Sequence, residues 1–168
     1  MDEVTNEDRA EYGRAALEHY EEARAALGRE PAEHEDIELA LAACAYGGSL
    51  DRTERVEAKD LREETEWAVE VLGDLVSNLF HAADGMVIPR LLLDAVADPE
   101  GREEADRSEA WQRLGERGPR FARFLAAVRR TLVTLHDADA DGLFEGSRSA
   151  FEEEAEEERY AARAAQRA

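Results

Sequence analysis

Apolar residues in this chain recur at intervals of three and four, not two. In TNEDRAEYGRAALEHYEEARAALG, residues 5–28, Tyr12, Ala16, Tyr20, Ala23 and Leu27 form one stripe. Thr5 or Asn6 can cap its start and Gly28 its end, which predicts an amphipathic helix. Pro31 suits a first helical turn, and Ile37, Leu41 and Cys44 mark a shorter second helix closed by Gly47 and Gly48. The third run, with Thr53 as a cap, is the strongest. Leu61, Ala68, Leu75 and Ala82 recur at seven-residue intervals, with Thr65, Leu72 and Leu79 between them, as far as Gly85. A stripe of that length is expected to form a long central helix packed by others. Gly73 in its middle costs about 1 kcal/mol relative to alanine. Either a neighbour should cross closely there or the helix should break.

Beyond Gly85, IPRLLLDAVAD reads as a short buried helix starting near Pro89, and DPEG as a turn. RSEAWQRLGERG predicts another short helix with Trp111 and Leu114 inward. Pro119 starts a sixth, in which Phe121, Phe124, Leu125, Val128, Leu132 and Leu135 fall on one face at about 100° per residue. Ser149 with Glu152 makes a capping-box pattern for a last helix over 149–165. It has few apolar residues beyond Phe151 and Tyr160, so loose packing or dependence on a partner is expected. No alternating strand pattern occurs. The chain reads as all-α, a compact bundle of six to seven helices in a single domain, 1–168.

Charge changes this picture. There are 41 acidic residues against 21 basic ones, a net of -20, and Lys59 is the only lysine. With 43% apolar residues in periodic runs, the chain has too much core material for disorder, so the charge sits on a folded surface. Such a surface repels itself unless salt screens it. Carboxylate excess with almost no lysine resembles the composition of proteins from salt-accumulating halophiles. A nucleic-acid mimic or a calcium buffer would also be acidic, but each needs patterned charge, and here it is spread nearly everywhere. Cys44 stands alone, so an intramolecular disulfide or multi-cysteine zinc site is excluded, and His19, His34 and His81 have no ligand spacing. The first residues, MDEVTNEDRAEYG, lack a signal peptide's basic and apolar regions, and no run is long and apolar enough to span a membrane. A cytoplasmic location is expected.

Candidate chemistry begins with HDADADGLFEGSR, residues 136–148. Side chains at positions 1, 3 and 5 of an EF-hand loop supply oxygens, glycine at 6 makes the turn, and a bidentate glutamate closes position 12. Asp137, Asp139, Asp141, Gly142 and Glu145 fit the first nine positions, but position 12 is Arg148. These carboxylates are candidate ligands for calcium. The competing reading is a solvated acidic linker.

A second candidate is VLGDLVSNLFHAADG, residues 71–85. It resembles the helix of the all-α nucleoside-triphosphate pyrophosphohydrolases of the MazG type, whose ELGD supplies carboxylates for magnesium opposite an EExxE helix. Gly73 and Asp74 match that motif; Val71 stands in place of its glutamate, and Glu70 is one residue off. Glu35 and Glu38 in EHEDIE approximate the facing pair. The resemblance implies a magnesium site of Glu35, Glu38, Glu70 and Asp74. The alternative is a core helix with a glycine contact.

Third, residues 113–130 hold six arginines and one acid, Glu116. Arg120, Arg123 and Arg130 are candidates for an anion-binding ridge, or for pairing with the chain's own carboxylates, such as those of EEEAEEE at 152–158. Arg129 with His136 resembles the Arg-x(4–6)-His pair of HEPN-type ribonucleases. With each catalytic motif incomplete, the chain reads as a non-catalytic interaction or regulatory module. Its partner would be another protein or a second copy bound through helix faces. The net charge argues against nucleic acid, and no motif demands a cofactor beyond calcium or magnesium.

Overall fold

Thr5 opens the first helix with a reciprocal cap: its hydroxyl accepts the Asp8 N–H at 3.1 Å while the Asp8 carboxylate accepts the Thr5 N–H at 2.9 Å. The computed structural model describes residues 4–47, 57–85 and 89–167. Over these residues the chain is all-α and contains no strand. The helices are α1 (Asn6–Ala26), α2 (Glu33–Gly47), α3 (Ala58–Glu63), α4 (Thr65–Ala82) and α5 (Pro89–Ala97), followed by α6 (Pro99–Asp106), α7 (Glu109–Leu114), α8 (Arg117–Arg130) and α9 (Ala140–Arg167). Among the described residues, nine helices replace the six to seven read from periodicity. Thr53 and Gly48 lie outside the described residues.

The long seven-residue stripe does not make one helix. It breaks at Glu64, whose backbone is extended at φ -104, ψ 96, leaving α3 and α4. Both halves keep their apolar face, since Leu61, Ala68, Leu72, Leu75 and Leu79 are fully buried. A side chain from elsewhere explains the break. His136 Nε2 lies 2.7 Å from the Leu61 carbonyl, which in a continuous helix would accept the Thr65 N–H. The longest helix is α9, with 28 residues, and it stands at the edge.

Three further boundaries moved. DPEG is not a turn but the start of α6, because Asp98 caps it by accepting the Gly101 N–H at 2.7 Å and Pro99 suits the first turn. The last helix starts at Ala140, nine residues before Ser149, with the Asp139 carboxylate accepting the Gly142 N–H at 3.1 Å. At the end of α8 the backbone widens into a π turn, Thr131–Leu135. Its longer loop shifts the phase, so His136 is buried and Leu135, expected inside, is 37% exposed.

One core cluster draws on all nine helices. Helix α4 lies within it, against α1 on one side and α9 on another, while α2 and α8 close the core and α5 packs on α6 and α8. Helix α1 approaches α4 closely at Gly13, where a Cβ atom would lie 2.5 Å from the Asn78 carbonyl oxygen. At Gly73 the helix neither breaks nor is tightly crossed. Ser147 of α9 donates to its carbonyl at 2.9 Å, and an added Cβ would meet only ordinary contacts near 4 Å.

Candidate functional site

Two clefts flank the first half of α9, and the candidate residues divide between them. The first lies between α4 and α9. It encloses about 770 Å³ and is lined by Glu70, Gly73, Asp74, Ser77 and Asn78 from α4 and by Asp139, Leu143, Ser147 and Glu154 from the α9 side, with Arg9 at one end. The α4 side chains share a face because they are three and four residues apart. Gly73, Gly142 and Gly146 contribute no side chains, which leaves the space between the helices. The arginine end is closed by a polar cluster: Glu154 takes Arg9 Nε at 2.6 Å, His81 Nε2 at 3.2 Å and the Ser77 hydroxyl at 3.2 Å.

The second cleft, of about 1080 Å³, lies between α5, α8 and the opposite face of α9. Its floor is apolar, with Pro89, Leu93, Ala126 and Phe144, and Val96 stands 42% exposed at its edge. Four arginines, Arg90, Arg129, Arg130 and Arg148, meet three acids, Asp94, Asp141 and Glu145. In so acidic a chain that is a local inversion of charge.

This geometry separates the carboxylates of the EF-hand pattern. In an EF-hand loop alternate residues converge on one ion. Here the helix begins at Ala140, so Asp139 and Asp141 sit about 200° apart around its axis. Asp139 lines the first cleft, and Asp141 and Glu145 line the second. Asp137 takes a left-handed backbone at φ 49 and ends the π turn. From there the Ala138 N–H reaches back to the Leu132 carbonyl at 2.9 Å. Among the described residues no group of three or more His, Cys, Asp or Glu side chains is placed to hold a metal ion.

The magnesium set is likewise divided. Glu70 and Asp74 line the first cleft, but Glu35 and Glu38 lie on α2, paired elsewhere. Arg29 grips Glu35 at 2.7 and 2.8 Å, and together with the Ala32 N–H it holds that carboxyl well below its usual range, at about 2. Glu38 pairs with Arg62 of α3. The structure instead brings Glu70 and Asp74 together with Asp139, a meeting that pairwise motif reading missed. The signal that α9 starts just after Asp139 was the aspartate itself, a favoured capping residue that here accepts the Gly142 N–H, which the loop pattern obscured.

Of the arginines, Arg123 forms a two-pronged pair with Glu21 at 2.9 and 3.2 Å. Arg130 pairs with Asp36 of α2. Asp36 is 2% exposed and also accepts the Tyr20 hydroxyl at 2.6 Å. Arg120 is exposed on α8. These partners come from α1 and α2, not from the acidic run 152–158. His136 is taken up by Leu61 and Thr65, with Nδ1 3.0 Å from the Thr65 hydroxyl, whereas Arg129 faces the second cleft. Cys44 is buried, and burial pushes its thiol far above the usual range.

Fold and clefts together define an all-α helical protein with two solvent-open grooves beside its last helix, and no helix among the described residues is long and apolar enough to cross a membrane. No family model matches the chain, and neither a curated protein nor a solved structure is measurably similar to it.

Proposed function

We propose that the protein is a non-catalytic interaction module of a salt-rich cytoplasm that associates with a second copy of itself through α9. The observation that carries this reading is the exposure of the end of that helix. From Glu156 to Arg167 every residue is exposed, and Tyr160 is 74% so, although α9 continues without a break. A helix of this kind gains nothing from its own core and persists through local pairing or through a partner.

The occupant of the second cleft follows from charge. An acidic helix bearing Glu153, Glu156, Glu157 and Tyr160 complements a groove whose four arginines outnumber its three acids over an apolar floor, with Arg90 and Arg129 the arginines offered to it, since Arg130 pairs with Asp36 and Arg148 with Glu152. The arm cannot enter its own groove. Arg148, on the groove wall, and Tyr160 belong to one straight helix and lie about 18 Å apart along its axis at 1.5 Å per residue. Only the arm of another molecule reaches the groove, and a two-fold axis between antiparallel α9 helices would let each arm fill the other's groove.

Sedimentation velocity over a concentration series, in about 1 M potassium chloride to screen net repulsion, tests the reading. A dimer is expected that is lost in a chain ending at residue 155 and weakened by Arg129→Glu. A monomer at every concentration, or a dimer indifferent to both changes, would overturn it.

A further inference from the structure

Charges along the outer face of α9 fix how two copies of the chain meet, an inference that rests on self-association through this helix. Ser147 and Glu154 mark the face of α9 turned toward α4, where they bond the Gly73 carbonyl and the Ser77 hydroxyl. On the opposite face, at about 100° per residue, Asp141 and Glu145 lie one turn apart at the start of the helix, and Arg159 and Arg163 lie one turn apart near its end. All four are exposed, and none has an ion-pair partner among the described residues. Like charges at i and i+4 repel. The helix dipole favours acids at the start and bases at the end, but its reach is about one turn, so it accounts for Asp141 and not for Glu145 or Arg159.

Spacing decides what neutralises them. Asp141 and Arg159 are separated by about five whole turns, as are Glu145 and Arg163, so the four charges share one face. Within one rigid helix the members of each such couple stay about 27 Å apart. Only a second helix brings opposite charges together. Laid antiparallel, with a two-fold axis beside Glu152, it sets its Arg163 against Asp141 and its Arg159 against Glu145, and the symmetry repeats both pairs. The two pairs demand the same axis. The carboxylates that meet there carry their own counter-charge, since Glu152 pairs with Arg148 at 3.2 Å. Asp141 and Glu145 are also two of the three acids in the groove between α5, α8 and α9, so an entering arm brings arginines to them as well as carboxylates to Arg90 and Arg129. We propose that α9 pairs with itself antiparallel in this one register, and that Asp141, Glu145, Arg159 and Arg163 determine its specificity for a second copy of the chain.

Two variants of the full chain reverse one end of the face each: Asp141→Arg with Glu145→Arg, and Arg159→Glu with Arg163→Glu. All four positions are exposed, so both variants should fold, with thermal melts as the control. They are followed by sedimentation velocity in about 1 M potassium chloride, where a screening length of about 3 Å removes long-range repulsion and still spares groups in contact. Each variant alone is expected to dimerise at least about tenfold more weakly than the wild type, since four contacts turn from attraction to repulsion. Mixed in equal amounts, the two should regain wild-type affinity to within about threefold as heterodimers, because the new arginines of one then meet the new carboxylates of the other. A change in net charge alone cannot produce that rescue. Undiminished dimers of either variant, or a mixture no stronger than its components, would overturn the register while leaving self-association through α9 in place. A wild type that is monomeric at every concentration would overturn both.

Discussion

His136 closes the gap between α3 and α4 by holding the Leu61 carbonyl at 2.7 Å through Nε2 and the Thr65 hydroxyl at 3.0 Å through Nδ1. A carbonyl only accepts, so Nε2 carries a proton in this arrangement. The imidazole thereby supplies the Leu61 carbonyl with the donor that the break at Glu64 denies it.

His136→Ala should therefore destabilise the fold by about 2–3 kcal/mol, the sum of a buried carbonyl left unpaired and a cavity behind the π turn. A urea titration checks this: the midpoint should fall with an unchanged slope. A loss below about 0.5 kcal/mol, typical of neutral surface changes, would mean that α3 and α4 fuse into one helix without the ring, as the sequence stripe suggests.

That stripe shows what was legible in the chain and what was not. Heptad spacing placed Leu61, Ala68, Leu72 and Leu75 in the core correctly, since burial follows local periodicity. It could not show that a histidine 75 positions away takes the carbonyl that continuity needs. The same limit applies to the sites. Asp74 and Asp139 were each singled out, but for different metals, because their shared cleft depends on α9 lying along α4. Alternation of aspartates read as a loop; at helical pitch the same alternation sends them to opposite faces.

Tyr20 and Asp36 make the second prediction. The Tyr20 ring stacks on Phe124 with centroids 4.9 Å apart, and its hydroxyl donates to the buried Asp36, which Arg130 also holds. Tyr20→Phe keeps the stack and removes a charge-assisted bond, for a loss of about 1.5–3 kcal/mol. Burial, and then the Asp36 carboxylate, push the Tyr20 hydroxyl far above its ordinary value of 10. The folded form thus holds its proton where the unfolded chain releases it. The resulting stability is complete below pH 10 and falls as pH rises beyond it. Alkaline denaturation of Tyr20→Phe should lack this contribution and begin less steeply than that of the wild type.

Two glycines on facing helices should respond in opposite directions to alanine. Gly13→Ala places a Cβ atom 2.5 Å from the Asn78 oxygen and 3.1 Å from the Leu79 nitrogen, both backbone, so α1 and α4 must part. Overpacking of this kind costs about 1–3 kcal/mol and outweighs the gain in helix propensity. Gly73→Ala meets Ser147 Oγ at 3.9 Å, an ordinary contact, and should stabilise by about 0.5–1 kcal/mol. Thermal melts of the two variants give the signs directly; a stabilised Gly13→Ala would show that the helices separate at little cost.

Salt should stabilise the fold, and the reason lies in where the pairs sit. The net charge of -20 resides mainly on α1, α2, α4, α6 and α9, while α8 is basic, so repulsion acts across most of the surface and weakens as the screening length shrinks from about 10 Å at 0.1 M to about 3 Å at 1 M. Salt also weakens attraction, but the exposed pairs Arg14–Glu7, Arg102–Asp106 and Arg113–Glu109 contribute little to begin with. The pairs that anchor the fold, Arg9–Glu154, Arg123–Glu21 and Arg130–Asp36, each include a carboxylate largely withdrawn from solvent and are screened less. Tm should accordingly rise between 0.1 M and 1 M potassium chloride, by about 2–4 °C for each kcal/mol of repulsion relieved. The rise should come mostly below about 0.5 M, where the screening length changes most. A Tm that fell with salt would mean that the surface pairs outweigh the repulsion, and the acidic excess would then need a cause other than adaptation to a salt-rich solvent.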